Sequence, residues 1–156
     1  MKLRTVGYES CDILPFVTYL KSQKVDLVID IRKNPLSRKK GFSKNKLAEN
    51  LKTKKIQYLH MPGLGVPSAW RKLAKAHFIS REKMFNDYVK KILPLQKNDL
   101  TEILRLAKIN SVTLLCYEAD ALDCHRNYVA KNLKRKAKGL QMPACFTILQ
   151  IKRFSC

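Results

Sequence analysis

A chain of 156 residues with 46% apolar residues can bury one core but hardly two, so a single domain over residues 1–156 is expected and a disordered tail is excluded. Against 32 Lys+Arg stand 12 Asp+Glu, a formal net charge of +20 that excludes a neutral, patch-free carrier. Self-repulsion on that scale is relieved by an anionic partner, and nucleic acid (DNA or RNA) is the commonest polyanion; a Lys-rich, merely solvated surface is the plainer alternative.

No run reaches the roughly 18 apolar residues that span a bilayer, and the N-terminal MKLRTVGYES has neither an apolar core nor a small-residue cleavage site. A cytoplasmic chain with no membrane partner is therefore expected. Five cysteines, Cys11, Cys116, Cys124, Cys145 and Cys156, form an odd and irregular set, unlike a disulfide framework or paired zinc knuckles. Reduced thiols are expected.

The first predicted strand is Leu3–Val6, running into a Gly7-Tyr8-Glu9-Ser10 loop. Ile13, Leu14, Phe16, Val17 and Leu20 recur at helical spacing, with Ser10 or Asp12 as cap. Val25–Ile31 is a β-branched run with little alternation, the pattern of a central parallel strand. A basic loop with Pro35 and Gly41 follows, then a helix from about Lys44 to Lys54 on Leu47 and Leu51. Ile56–His60 is a short strand, and Met61–Pro67 a shaped loop with two glycines and two prolines. Three helices follow: Ala69–Ala76, Arg81–Leu93 and Leu100–Ile109, the last capped by Asp99. Val112–Tyr117 is a second strongly apolar strand; Leu122, Val129, Ala130, Leu133 and Ala137 mark the stripe of the next helix, which Gly139 stops, and Cys145–Ile151 can close the sheet.

Strands alternating with helices predict an α/β domain in three layers, α/β/α, around a mainly parallel sheet of about five strands. Functional groups in such sheets collect at the strands' C-terminal edge. Glu9, Asp30 with Arg32, His60, and Cys116 with Glu118 all follow predicted strands, so they are expected on one rim.

The stretch from Cys116 to Arg126 leaves a buried strand and enters a helix. Free amides in that first turn favour an anion, reinforced by His125 and Arg126, and a thiol there, Cys124, would be favoured as a nucleophilic thiolate. The alternative is that Asp120 and Asp123 cap the helix while the cysteines pack as small hydrophobes. A metal site of Cys116, Cys124, His125 and His60 fits by ligand type, but adjacent residues diverge by about 100° on a helix, so no metal or other cofactor is expected. Asp30, Glu9 and Glu118 could crowd carboxylates for general acid–base work, or each could be tied by a salt bridge.

Between Arg32 and Lys55 lie ten basic residues, among them Lys33, Arg38, Lys39, Lys40 and Lys44, against one acid, Glu49. Phe42 and Tyr58 interleave with them as stacking platforms for bases or as core aromatics. Lys134 and Arg135 belong to a second basic stripe, and the two patches could make one groove. His60 and His77 also read as structural hydrogen bonders, and Trp70 as a packing aromatic.

Thr5–Ser10, Asp30–Arg38, Gly41-Phe42-Ser43, Tyr58–Gly65, Cys116-Tyr117-Glu118 and Cys124-His125-Arg126, in that order and reaching to about Leu133, resemble the family called domain of unknown function 488. That family usually carries a Pro in the acidic loop where this chain has Asp120-Ala121-Leu122, and His or Tyr followed by Ser or a similar residue after the first Gly. The resemblance implies an α/β domain with a parallel sheet and assigns no reaction.

The leading expectation is a nucleic-acid-binding protein with a nucleotide- or base-processing pocket. In it Arg32, Arg38 and Arg126, with His125 and His60, hold phosphate; Glu118, Asp30 or Glu9 move protons or orient water; and Cys124 is a further nucleophile. Lys33, Lys39, Lys40, Lys44, Lys134 and Arg135 contact the polymer. The alternatives are an enzyme for a small phosphorylated or carboxylated metabolite and a non-catalytic nucleic-acid-binding module.

Overall fold

Strand residues sort by parity into two cores. A computed structural model describes residues 2–139 and 149–150. Strands β1 (Lys2–Gly7), β2 (Leu27–Asp30), β3 (Gln57–His60), β4 (Ser111–Cys116) and the two-residue β5 (Leu149–Gln150) form one parallel sheet in the order β3-β2-β4-β1-β5. Successive strand side chains face opposite ways. Leu3, Leu27, Ile29, Val112 and Leu114 therefore enter one apolar cluster, and Val6, Val28 and Leu115 the other.

Helices α1 (Ile13–Ser22) and α2 (Lys44–Thr53) cover the second face with Phe16, Val17, Leu20, Leu47 and Leu51. The first face is covered by α3 (Ser68–Lys75), α4 (Arg81–Asp87), α5 (Lys97–Ile109) and α6 (His125–Gly139), through Ala74, Met84, Phe85, Leu100, Ile103, Leu104, Val129 and Leu133. Each large aliphatic or aromatic side chain so buried contributes about 1.5–3 kcal/mol. The arrangement is the three-layer α/β/α domain with a parallel sheet that the alternation of elements predicts. Among the described residues no helix is long and apolar enough to cross a membrane.

Several predicted boundaries shift for local reasons. Val25 and Ile31 are buried but lie outside the β2 ladder, so the apolar run is longer than the strand. The helix predicted over Arg81–Leu93 ends at Asp87 and continues as a π turn, Tyr88–Ile92, and a 3-10 turn, Leu93–Leu95. Pro94 has no amide to donate and its ring would strike the carbonyl four residues back, so regular pitch cannot continue. Asp99 does not cap α5; it lies in the first turn, where its charge suits the helix dipole. Asp12 sits at the start of α1 without a side-chain capping bond. Leu122 precedes α6 and is exposed, so it does not belong to the buried stripe. Of the predicted strand Cys145–Ile151, Leu149 and Gln150 pair with β1; the remainder lies outside the described residues, as do the cysteines at 145 and 156. Cys11, Cys116 and Cys124 are buried, and no disulfide joins them to one another.

The register fixes the rim. Gly7 pairs with Cys116, and Asp30 pairs with Leu115 on one side and His60 on the other. The loops after β1, β2, β3 and β4 therefore leave the sheet at one edge.

Candidate functional site

The loop after β2 folds back on its own strand. Arg32 Nε donates to Asp30 Oδ1 at 2.8 Å and its Nη2 to Oδ2 at 2.5 Å, a bidentate pair in which both residues are buried. Arg32 Nη1 donates to the Tyr8 hydroxyl and the Phe42 carbonyl, and Tyr58 Oη donates to Asp30 Oδ2 at 2.7 Å. Burial opposes the Arg32 charge, but the Asp30 carboxylate outweighs it and holds the guanidinium protonated. Burial, then the Asp30 charge, push the Tyr58 hydroxyl well above the ordinary tyrosine value. The pair thus clamps β2 to the β1 loop and the basic loop. His60 Nε2 is 2.9 Å from the Arg32 carbonyl oxygen and holds the same turn from β3.

The loop after β4 brings thiols, carboxylate and imidazole together. Glu118 Oε2 accepts from Cys116 Sγ and Cys124 Sγ, at 3.0 Å each. His125 Nδ1 lies 3.8 Å from Cys116 Sγ and 3.9 Å from Cys124 Sγ. The sulfurs and that nitrogen all lie within 4.8 Å of one another. The other ring nitrogen, Nε2, is 3.1 Å from the Ile31 carbonyl oxygen, which can only accept. That bond places a proton on Nε2 and turns Nδ1 toward the sulfurs. The Tyr88 ring packs edge-on against His125, and its hydroxyl donates to the Leu64 carbonyl at 2.6 Å, so the π turn fixes the imidazole from below.

The predicted divergence of Cys124 and His125 does not occur, because α6 begins at His125 and Cys124 lies before it. The Arg126 amide points at Cys124 Sγ across 3.5 Å, so the sulfur takes the place of a helix-capping oxygen. Burial nevertheless pushes the Cys124 thiol well above its ordinary value, with Cys116 adding and His125 opposing. That environment works against the free thiolate expected of a nucleophile. Burial likewise raises the Glu118 carboxyl, but the two thiols that donate to it and nearby His125 outweigh this and hold it below the usual carboxylate range. In His125 burial lowers the imidazolium, while Cys124, Glu118 and the Ile31 carbonyl raise it and prevail.

Above this floor opens a cavity of about 290 Å³, walled by Tyr8, Tyr117, Val66 and the cations Lys33, Arg38, Lys39 and Arg71, with Arg32, Cys116, Glu118 and His125 at its base. A second cavity of about 330 Å³ shares Val66, Arg71, Glu118 and His125 and extends toward His77 and Arg81. Among the described residues no ion pair involves Lys33, Arg38, Lys39 or Arg71. Two glycines allow the loops to close on the cavity. A Cβ at Gly7 would lie 1.7 Å from the Glu118 carbonyl oxygen, and one at Gly65 would lie 2.3 Å from the Lys33 amide nitrogen.

Of the predicted site residues, Glu118, Cys124, His125, Asp30, Arg32 and Arg38 gather at this rim. Their parts differ from those expected. Asp30 and Arg32 neutralise each other. Arg126 is 2% exposed and bonds the Glu118 and Ala119 carbonyls, so it shapes the acidic loop instead of facing a ligand. Glu9 is exposed and accepts from the Ala119 amide at 2.9 Å, bracing the same loop from outside. Asp120 accepts from Leu122 N and Asp123 pairs with Arg81 at 2.6 Å; neither side chain caps α6.

The two basic stripes do not join into one groove, because α2 and α6 pack on opposite faces of the sheet. Lys44 on α2 and Lys40 before it are exposed on the side of the cavity's basic loop; Lys134 and Arg135 are exposed on α6 in the other layer. Phe42 is fully buried and stacks on Tyr8 at 4.3 Å, so it is a core aromatic and no platform for a base. His77 is exposed with φ +60°, and Trp70 packs on the core edge.

Sequence reasoning missed Arg71, Val66 and Tyr117 as lining residues. Arg71 stood in a short basic helical run, and only the tertiary placement of α3 brings it over the cavity.

Comparison with known proteins bears out the family resemblance, over a range that begins after Thr5–Ser10. The family described as domain of unknown function DUF488 matches residues 12–133, and the chain belongs to that family. No curated protein matches the chain, and neither does any solved structure.

Proposed function

We propose that this member of the family binds nucleic acid across the basic loop between β2 and α2 and seats one nucleotide unit in the rim cavity. The observation that carries the reading is the unneutralised wall of Lys33, Arg38, Lys39 and Arg71 around a cavity whose base holds the Glu118 carboxylate. Phosphates would meet the cations, each contact displacing counterions, while Tyr117, half-exposed at the wall, offers a face for stacking. Lys40 and Lys44 extend the cationic track beyond the cavity mouth. Glu118, a half-buried carboxylate lining the cavity, would accept a hydrogen bond from a seated base.

The cavity is close to the lower end of ligand-pocket volumes, which favours a single nucleotide over a longer folded segment. The same size suits a free phosphorylated metabolite, the competing reading. Binding of labelled RNA and DNA oligonucleotides, challenged with free mononucleotides and sugar phosphates, separates the two. Tight oligonucleotide binding with weak competition by mononucleotides is the expected result. Stabilisation by a free metabolite with both polymers inert would replace this reading with the second.

A further inference from the structure

We propose that Cys116 Sγ, Cys124 Sγ and His125 Nδ1 are ligands of one thiophilic divalent cation of the zinc class, with Glu118 Oε2 at the fourth position on the cavity side. The inference stands apart from nucleic-acid binding, since it rests on the cluster alone.

The nitrogen-to-sulfur separations are near the edges of a tetrahedron around one ion. Zinc bonds of about 2.3 Å to sulfur and about 2.0 Å to nitrogen set tetrahedral ligand atoms roughly 3.5–3.8 Å apart. The Nδ1-to-sulfur distances are 3.8 and 3.9 Å, and each sulfur lies 3.0 Å from Glu118 Oε2. An ion taking the place of the two thiol protons would open the sulfur-to-Oε2 contacts and draw the imidazole slightly inward. Two sulfurs and an imidazole select a borderline-soft ion over calcium or magnesium.

The surroundings supply what metal ligands require from their neighbours. The Ile31 carbonyl accepts from Nε2 and so presents Nδ1 with its lone pair inward, the usual device for orienting a ligating histidine. The Arg126 amide is directed at Cys124 Sγ and would support a metal-bound thiolate. All three ligand residues are buried, at 1–6% exposure, yet Cys116, His125 and Glu118 line the cavity, so an ion can reach them. Buried thiols and an imidazole confined this closely have no apolar packing reason to converge. A dication does supply one, because it compensates the charge of two thiolates. Binding would form two metal–sulfur bonds and one metal–nitrogen bond and release the two thiol protons to solvent.

The test uses the full chain, reduced and freed of metal by chelation. One Zn²⁺ per chain should bind, with release of about two protons in weakly buffered indicator solution. Co²⁺ should give thiolate-to-metal charge-transfer absorption and the strong visible bands of a tetrahedral ion. Cys116→Ala with Cys124→Ala should abolish the charge-transfer band. Glu118→Gln should keep that band and weaken affinity by at least about tenfold. Because the double variant can fail to fold, metal protection of Cys116 and Cys124 from alkylation is mapped in the unaltered chain. Absence of stoichiometric binding, a cobalt spectrum without charge transfer, or alkylation of both thiols at the same rate with and without metal overturns the proposal.

Discussion

Removing Lys33 and Arg38 together tests whether the cavity wall holds a polyanion. In Lys33→Ala/Arg38→Ala two of the four wall cations are lost, and among the described residues neither forms an ion pair whose buried partner would be orphaned. Counterion release gives log K against log salt a slope of about −0.9 per phosphate contact on duplex DNA and about −0.7 on single strands. Four contacts predict about −3.6 and about −2.8, so raising salt from about 50 to about 200 mM weakens binding by about 150-fold and about 50-fold. The double variant should flatten the slope by about 1.8 on a duplex or about 1.4 on a single strand. Fluorescence anisotropy at four or more salt concentrations measures it. The comparison is Lys134→Ala/Arg135→Ala, which removes the same charge from the opposite layer. Equal flattening in both variants would mean diffuse attraction to net charge, and an unchanged slope in the cavity variant would refute the assigned contacts.

Three further expectations follow from the geometry. Arg32→Met leaves the Asp30 carboxylate buried without its cation and should cost about 3–5 kcal/mol in chemical denaturation; a loss under about 1 kcal/mol would show that Tyr58 suffices as partner. Gly7→Ala drives a methyl into the Glu118 carbonyl and should destabilise by about 3 kcal/mol, the upper range for overpacking, with disturbance centred on the 118–120 loop in amide exchange. Tyr8, Tyr58 and Tyr88 are held above the ordinary value near 10, chiefly by burial. The unfolded chain then loses those phenolic protons first, so stability is full below pH about 10 and falls as pH rises beyond it. Ultraviolet titration should show three tyrosines ionising only as the fold is lost; complete ionisation of a still-folded chain would contradict the burial.

What the sequence makes legible here is direction more than role. Leu47 and Leu51 in a basic stretch are enough for α2, and the order of strands and helices is enough to send Cys116, Asp30 and His60 to one rim. The partner of each charge is not written in residue type. Arg32 lies two residues beyond Asp30, and only the reversal of the chain after β2 turns a candidate phosphate ligand into a clamp. The Cys124-His125 pair shows the same limit at finer scale. Helical angles apply from His125 onward, so one residue of boundary decides whether two side chains diverge or converge. Arg71 had no local signal, since its importance comes from where α3 docks.

The sheet order carries a consequence for biosynthesis. β4 inserts between β1 and β2, which are made some eighty or more residues earlier and have no ladder with each other. Until the ribosome has released Ser111–Cys116, β1 and β2 wait with open hydrogen-bonding edges, a state prone to misassembly. Closure of the central ladder and delivery of Cys116 to the rim are then one event. Any fragment designed to retain the cavity must extend through α6, and a nascent chain shorter than that needs protection more than it needs time.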